Sequence, residues 1–200
     1  MWILAVLVVI GIMIGLFLLN FYRNPERSIP KGNNIVAPAD GRIIRIISTS
    51  KDAINVRKGF IGKIRVLTKD VAKECCVISI FMSPLDVHIN RAPIAGKIKS
   101  IKYAKGRFFK AYDLEKSLEN EKNEIIIVNK KLRVKVIQIA GFLARRIICY
   151  VKLNQKVNIG QRIGMIALGS QATMIMPYSV KLKVKLKDKV KAGSTVIAEV

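Results

Sequence analysis

Two hundred residues with 51% hydrophobic and 24% charged side chains hold enough apolar material for a folded core, which excludes a disordered or collagen-like chain. Thirty-six Lys and Arg against thirteen Asp and Glu give a net charge of +23, yet every charged side chain lies at or beyond Arg23. Three cysteines, two of them the neighbours Cys75 and Cys76, exclude a disulfide scaffold and point to a reducing compartment.

In chain order, Met1 to Leu19 is an unbroken apolar run that as a helix covers roughly the 30 Å hydrocarbon core, so 1–22 reads as a transmembrane anchor. No basic stretch precedes it and no Ala-x-Ala-like site follows, which argues against a cleaved signal peptide. Asn20, Phe21, Tyr22 and Arg23 form an aromatic and basic interfacial boundary, and the basic chain beyond them favours a cytoplasmic C-terminal domain. Gly11 and Gly15 form a GxxxG pair, although glycine is common in such spans.

Beyond Arg23 the pattern predicts strands over 41–48, 77–81, 97–103, 124–128, 132–139, 146–151, 162–168, 180–187 and 194–200. Ala111 to Glu121 is read as a helical turn or a loop. In 180–187 the alternation is strict, with Val180, Leu182, Val184 and Leu186 on one face and four lysines on the other. Two internal echoes stand out. Pro38-Ala-Asp-Gly-Arg-Ile43 is mirrored by Pro93-Ile-Ala-Gly-Lys-Ile98, and Lys156-Val-Asn-Ile-Gly-Gln-Arg-Ile163 by Lys189-Val-Lys-Ala-Gly-Ser-Thr-Val196. Such turns suit the hairpins of a lipoyl-like barrel-sandwich hybrid, so the expected fold is a mostly-β domain of that kind behind an N-terminal transmembrane helix.

Three places could carry chemistry. The single histidine, His88, lies in a polar loop between Pro84 and Pro93 with Asp86 and Arg91 close by; one His without Cys-x-x-Cys leaves too few ligands for zinc. Asp40 sits in an Asp-Gly turn, where backbone geometry alone would explain it. Gly169-Ser170 follows a strand. Glycine leaves its carbonyl open to approach, and a Ser170 oxygen attacking it would need a base, a part that His88 oriented by Asp40 could fill.

Together with Asn24-Pro-Glu-Arg27, Ile139-Ala-Gly-Phe-Leu-Ala-Arg-Arg-Ile147 and Gly160-Gln-Arg-Ile-Gly164, these segments occur in the order found in phosphatidylserine decarboxylases, and the chain resembles the short form of that family from Phe21 to Val200. The resemblance implies a proenzyme that cuts itself. Ser170 would attack the Gly169 carbonyl with His88 as base held by Asp40, leaving a β chain, 1–169, and an α chain, 170–200, that begins with a pyruvoyl group derived from Ser170. That ketone would form a Schiff base with the serine amine of phosphatidylserine, accept the electron pair as carbon dioxide leaves, and yield phosphatidylethanolamine, with His88 as general acid. No metal is implied. The implied partners are a phospholipid substrate, the cell membrane and the chain's own two fragments, with higher homo-oligomers left open. Arg91 stands where long members carry a second histidine, which leaves His88 to serve alone as base and acid, and Gln171 stands where they often carry Thr.

The charge suits an anionic leaflet, where each basic residue near the surface contributes about 1 kcal/mol, and Arg23, Arg27, Lys31 and the lysine-rich strand 180–187 are expected to orient the site toward headgroups, most of the other cations forming a solvated face. Two rivals remain at this level. A nucleic-acid-binding protein fits the charge but offers 6% aromatics and no recognition motif, and a membrane-anchored lipoyl-like adaptor gives no reason for Asp40, His88 and Gly169-Ser170.

Overall fold

The computed structural model describes residues 2–58, 62–105, 121–141, 146–167 and 170–200. The apolar run forms one helix, α1 (Trp2–Phe21), whose 20 residues at 1.5 Å each give about the 30 Å of a bilayer core. Its side chains are exposed along almost the whole length, and only Phe21 is buried. The helix is thus long and apolar enough to cross a membrane, and among the described residues it packs through Phe21 and Phe17, at its C-terminal end, on Val87, Ile89 and Met165.

The remainder is mostly β. In chain order the strands are β1 (Asn34–Val36), β2 (Gly41–Thr49), β3 (Ala53–Lys58), β4 (Gly62–Leu67), β5 (Cys75–Met82), β6 (Ile89–Arg91), β7 (Gly96–Ala104) and β8 (Lys122–Val128). There follow β9 (Arg133–Ile139), β10 (Ile147–Cys149), β11 (Lys156–Val157), β12 (Arg162–Ile166), β13 (Ser170–Pro177), β14 (Lys181–Leu182), β15 (Lys189–Val190) and β16 (Val196–Glu199). Eight of them form a curled antiparallel sheet in the order β11-β7-β8-β9-β13-β5-β2-β15. Two three-stranded sheets, β1-β16-β14 and β10-β12-β6, flank it, and β3-β4 is a separate hairpin.

The two internal echoes are the key to this order. Lys189–Val190 pairs with Arg42 and Gly41, and Lys156–Val157 pairs with Lys97 and Gly96 in the same register. The correspondence extends into the backbone. The Val36 amide donates to the Pro93 carbonyl and the Arg91 amide to the Pro38 carbonyl, both at 2.9 Å, while Gly193 donates to Ala37 and Gly160 to Ala92, both at 2.8 Å. Lys187 and Asn154 occupy equivalent turns with φ of 74° and 68°, and each donates to the carbonyl at the end of its echo, Ile43 or Ile98. The large sheet consequently reads the same from either edge, with the pseudo-twofold axis between β9 and β13. Gly160 and Gly193, at φ of 75° and 76°, meet beside that axis, where an L side chain is strained and where Ile29 fills the space a Cβ would need.

The core lies inside the curl. Ile35, Ile43, Ile78, Ile80, Ile98, Ile125, Ile127, Val136, Ile163, Met174 and Ile197 are among its members. A second apolar cluster, Cys75, Val77, Ile137, Ile139 and Ile175, covers the opposite face of the central strands. Lys135 is buried on that second face, where it is held by Asp70, Glu124 and the Leu67 carbonyl; breaking such a set by removing one partner costs about 3–5 kcal/mol.

Two expectations need correction. The predicted 180–187 strand shrinks to Lys181–Leu182: Val180, Leu182 and Val184 pack on the core, but the left-handed turn at Lys187 ends the alternation and leaves Leu186 52% exposed. Gly169-Ser170 does not merely follow a strand, since Ser170 opens β13, a strand buried almost throughout on which no alternation could be seen. The β3-β4 hairpin was not foreseen at all. The helical turn or loop expected over 111–121 falls, apart from its last residue, outside the described residues, as do Gly169, Leu168 and 142–145.

Candidate active site

His88 is positioned by the turn that follows β5. The Asp86 carboxylate accepts from the Ser83 amide and hydroxyl, both at 2.8 Å, which closes the Ser-Pro-Leu-Asp turn. The same turn aims the Asp86 carbonyl at His88 Nδ1, 2.9 Å away. A carbonyl only accepts, so in the neutral ring Nδ1 carries the proton and the free lone pair is on Nε2. Among the described residues Nε2 is buried without a hydrogen-bond partner, and His88 is 0% exposed. Burial, which disfavours the charged ring, holds the His88 pKa below its ordinary value; the Asp86 carbonyl and charge oppose this, Arg23 adds to it and Asp40 opposes it weakly. A buried, neutral imidazole with an unengaged Nε2 is equipped to take a proton.

Part of that burial comes from the anchor. The Phe21 ring stacks on the His88 ring with centroids 4.2 Å apart and planes tilted by 35°. Phe21 joins Val87, Ile89 and Met165 in a small apolar cluster against which Phe17 also packs. Arg23 turns back to the Asn20 carbonyl and side chain and reaches the Leu85 carbonyl, which pins the helix end to the His88 loop.

Ser170 reaches the same region by two routes. β12 pairs with β6, and the Ile166 amide donates to the His88 carbonyl at 3.2 Å, so Ser170 lies four residues beyond a direct tie to His88. In addition Ser170 pairs with Met82, the last residue of β5, from which the His88 turn departs. The Ser170 side chain is 1% exposed, and its hydroxyl is 3.5 Å from the Met82 sulfur, a weak acceptor that leaves the oxygen lightly held. Behind it a buried amide chain runs from Asn90 to Gln138 at 2.9 Å and on to Asn123 at 2.8 Å. Gly164 is required beside this chain, since a Cβ there would lie 2.6 Å from Gln138 Nε2.

Asp40 is engaged elsewhere. One carboxylate oxygen accepts from the Ala192 amide and the other from Arg27, both at 2.7 Å. Among the described residues Asp40 makes no hydrogen bond to His88; the Asp86 carbonyl makes the orienting contact and Asp40 acts on the ring through space. Arg27, expected to face headgroups, instead neutralises Asp40 in a pair whose side chains are 12% and 10% exposed. Asn90, Met82 and the Asp86 carbonyl went unremarked as site components, and only the Asn90 amide, lying two residues after the histidine, offered a signal in the sequence. Gly169 lies outside the described residues.

The sequence model of the phosphatidylserine decarboxylase family matches residues 14–198. The chain belongs to that family. A provisionally named archaetidylserine decarboxylase proenzyme of Methanocaldococcus jannaschii is 44% identical over 92% of this chain and 89% of its own length. Phosphatidylserine decarboxylase proenzymes of Chlorobium phaeobacteroides and Chlorobium chlorochromatii are 43% and 38% identical, each over 91% of this chain and 78% of their own. Members of the phosphatidylserine decarboxylase family are carboxy-lyases, and the proenzyme names of these relatives indicate maturation by processing.

Proposed function

We propose that this chain cleaves its own backbone between Gly169 and Ser170 and then decarboxylates a serine phospholipid, phosphatidylserine to phosphatidylethanolamine. The observations that carry the reading are the buried Nε2 of His88, without a partner among the described residues, and a buried, lightly held serine at the start of β13 that pairs with Met82, six residues before His88.

In the first stage His88 Nε2 takes the Ser170 hydroxyl proton as the oxygen attacks the Gly169 carbonyl carbon. The peptide C–N bond breaks, the residue-170 nitrogen receives a proton, and an ester remains. Loss of the residue-170 α-proton expels the Gly169 carboxylate, and water replaces the resulting imine nitrogen, releasing ammonia and leaving a ketone. Asp40 stabilises positive charge arising on His88 through space rather than by contact, and Arg27 and the Ala192 amide hold it in place. The buried setting of Ser170 suits a group that must be kept from bulk water. A pyruvoyl group there supplies the electron sink for the pair left when carbon dioxide departs. His88 then holds the proton that returns to the substrate α-carbon, which needs the ring to gain and lose charge, as the opposed effects of burial and Asp86 permit.

The products would be a β chain, 1–169, and an α chain, 170–200. They would stay together, because β13 lies between β5 and β9, β15 pairs with β2, and β16 pairs with β1. The lipoyl-like barrel-sandwich reading of the fold rests on the paired turn echoes, and α1 would hold the domain on the cytoplasmic face, given the basic chain directly after it.

Intact mass of the protein purified from membranes should show fragments of 169 and 31 residues, the smaller blocked to N-terminal sequencing. Ser170→Ala should remain a single chain and release no carbon dioxide from serine phospholipid vesicles. Release of carbon dioxide by that variant would overturn the reading.

A further inference from the structure

Beyond the end of β6 the chain that leaves the anchor crosses the molecule as a strap. Asn24 accepts from Arg162 Nε at 2.9 Å, the Pro25 carbonyl accepts from Arg91 at 2.9 Å, Glu26 pairs with Arg162, and Arg27 pairs with Asp40. Under the strap is a cleft of about 480 Å³ whose lining includes Arg27, Arg91, Arg162, Glu26 and Gln161. The three guanidiniums come from three different elements, the strap, β6 and β12. Arg91 is buried, and among the described residues its guanidinium donates to the carbonyls of Pro25 and Gly160, which neutralise none of its charge. Burial and the neighbouring charge of Arg162 act most strongly against that charge, with Arg27 adding to them, and Glu26 and Asp40 offset them only in part, so a further anion would relieve it. The carboxylate that could do so from within the cleft, Glu26, already pairs with Arg162 and has a side chain 84% exposed.

We propose that this cleft is a phosphate-binding site that takes the phosphodiester of a lipid headgroup. The guanidiniums of Arg91 and Arg162, lining one cleft from two different strands while Arg27 beside them stays paired with Asp40, suit the oxygens of a tetrahedral phosphate better than a single carboxylate, which one fork satisfies. The lipid is the favoured source of that phosphate because Arg27 follows the last residue of α1 by six residues, which sets the cleft within roughly 20 Å of the membrane end of the helix. Arg91 also lies three residues from His88 along β6, about 10 Å, so a phosphate held there would keep its serine near the candidate active site. That last step rests on the function proposed above; phosphate binding itself does not.

The test uses the full-length Ser170→Ala chain in neutral detergent, so that neither processing nor turnover enters. Binding of inorganic phosphate, and its displacement by glycerophosphoserine, is measured by calorimetry and by phosphorus NMR. Arg162→Gln, whose side chain is partly exposed, is the main variant, Arg91→Lys keeps the charge but loses the fork, and Lys185→Gln removes one exposed charge away from the cleft. The expected result is saturable phosphate binding that glycerophosphoserine displaces, about tenfold weaker in Arg162→Gln, weakened in Arg91→Lys and unchanged in Lys185→Gln. Equal affinity in all three variants would mean diffuse attraction to a basic protein and would overturn the site. Phosphate binding that glycerophosphoserine fails to displace would overturn the lipid assignment in favour of free phosphate. Carbon dioxide release by the unmutated chain, assayed separately, reports on the function and not on the cleft.

Discussion

The two halves related by the pseudo-twofold axis share a backbone and differ in what they carry. Asp40 in the first half corresponds to Ala95 in the second, Val36 to Arg91, and Thr195 to Arg162. Both halves close the same turns with the same main-chain bonds, so the frame needs none of these side chains. The first half uses its spare position to hold a buried carboxylate between Arg27 and the Ala192 amide, and the second uses its own to place guanidiniums along the cleft. Chemistry has been added to a symmetric scaffold at positions the scaffold leaves free, which is why the same Pro-x-x-Gly turn is plain structure in one half and part of a site in the other.

The largest effect should come from removing what makes the halves unequal. Asp40→Ala strands the Arg27 charge in a nearly closed setting and should lower unfolding free energy by about 3 kcal/mol, measured in urea, while also stopping appearance of the 31-residue fragment. Asp40→Asn in a chain that still folds separates these two losses. Next come the paired glycines. Gly160→Ala should cost about 2 kcal/mol and Gly193→Ala about 1 kcal/mol, since both adopt positive φ but a Cβ at 160 would strike Ile29 Cδ1 at 2.2 Å, against 3.0 Å to Arg91 Cδ at 193. Ile29→Ala should recover part of the first loss and little of the second, and equal costs at both positions would show that Ile29 does not distinguish the turns.

A smaller effect belongs to the anchor's contact with the second half. Phe21→Ala admits water to His88, so its depressed pKa should rise toward the ordinary value of about 6.5 and the acid limb of the pH–activity profile should move up with it. The sign for stability follows from the same depression: the contribution of neutral His88 is complete above about pH 6.5 and is lost as pH falls through the lower folded value, because the unfolded chain then binds the proton first. In Phe21→Ala that acid-side loss should shrink. The smallest effect is expected at the counterpart of Asp40, where Ala95→Asn at an exposed turn should change stability by no more than about 0.5 kcal/mol and processing not at all.

How much of this was legible in the residues follows from the same physics. The echoes could be read because tight turns demand glycine at fixed offsets, and those offsets repeat. The strand bearing Ser170 could not, since Gln171, Thr173 and Met174 are all buried between β5 and β9 and a strand covered on both faces shows no period of two. The alternation of 180–187 misled in the opposite way, because its polar face simply meets solvent while the left-handed Lys187 turns the backbone away. Asp40, His88 and Ser170 were singled out from local context and the family resemblance, yet the partners of Asp40 lie 13 and 152 residues away and no local pattern encodes them. The Asp86 carbonyl was invisible for another reason: it is main chain, and only the folded turn aims it.

The strand that Ser170 opens stands beside the axis at the middle of the eight-stranded sheet. A polypeptide opened just ahead of it would therefore be a two-piece interlock whose shorter piece is the keystone of the longer one. Prising them apart would mean dismantling the whole interior, so a break at that point should be undetectable in native mass or heat stability and evident only after denaturation.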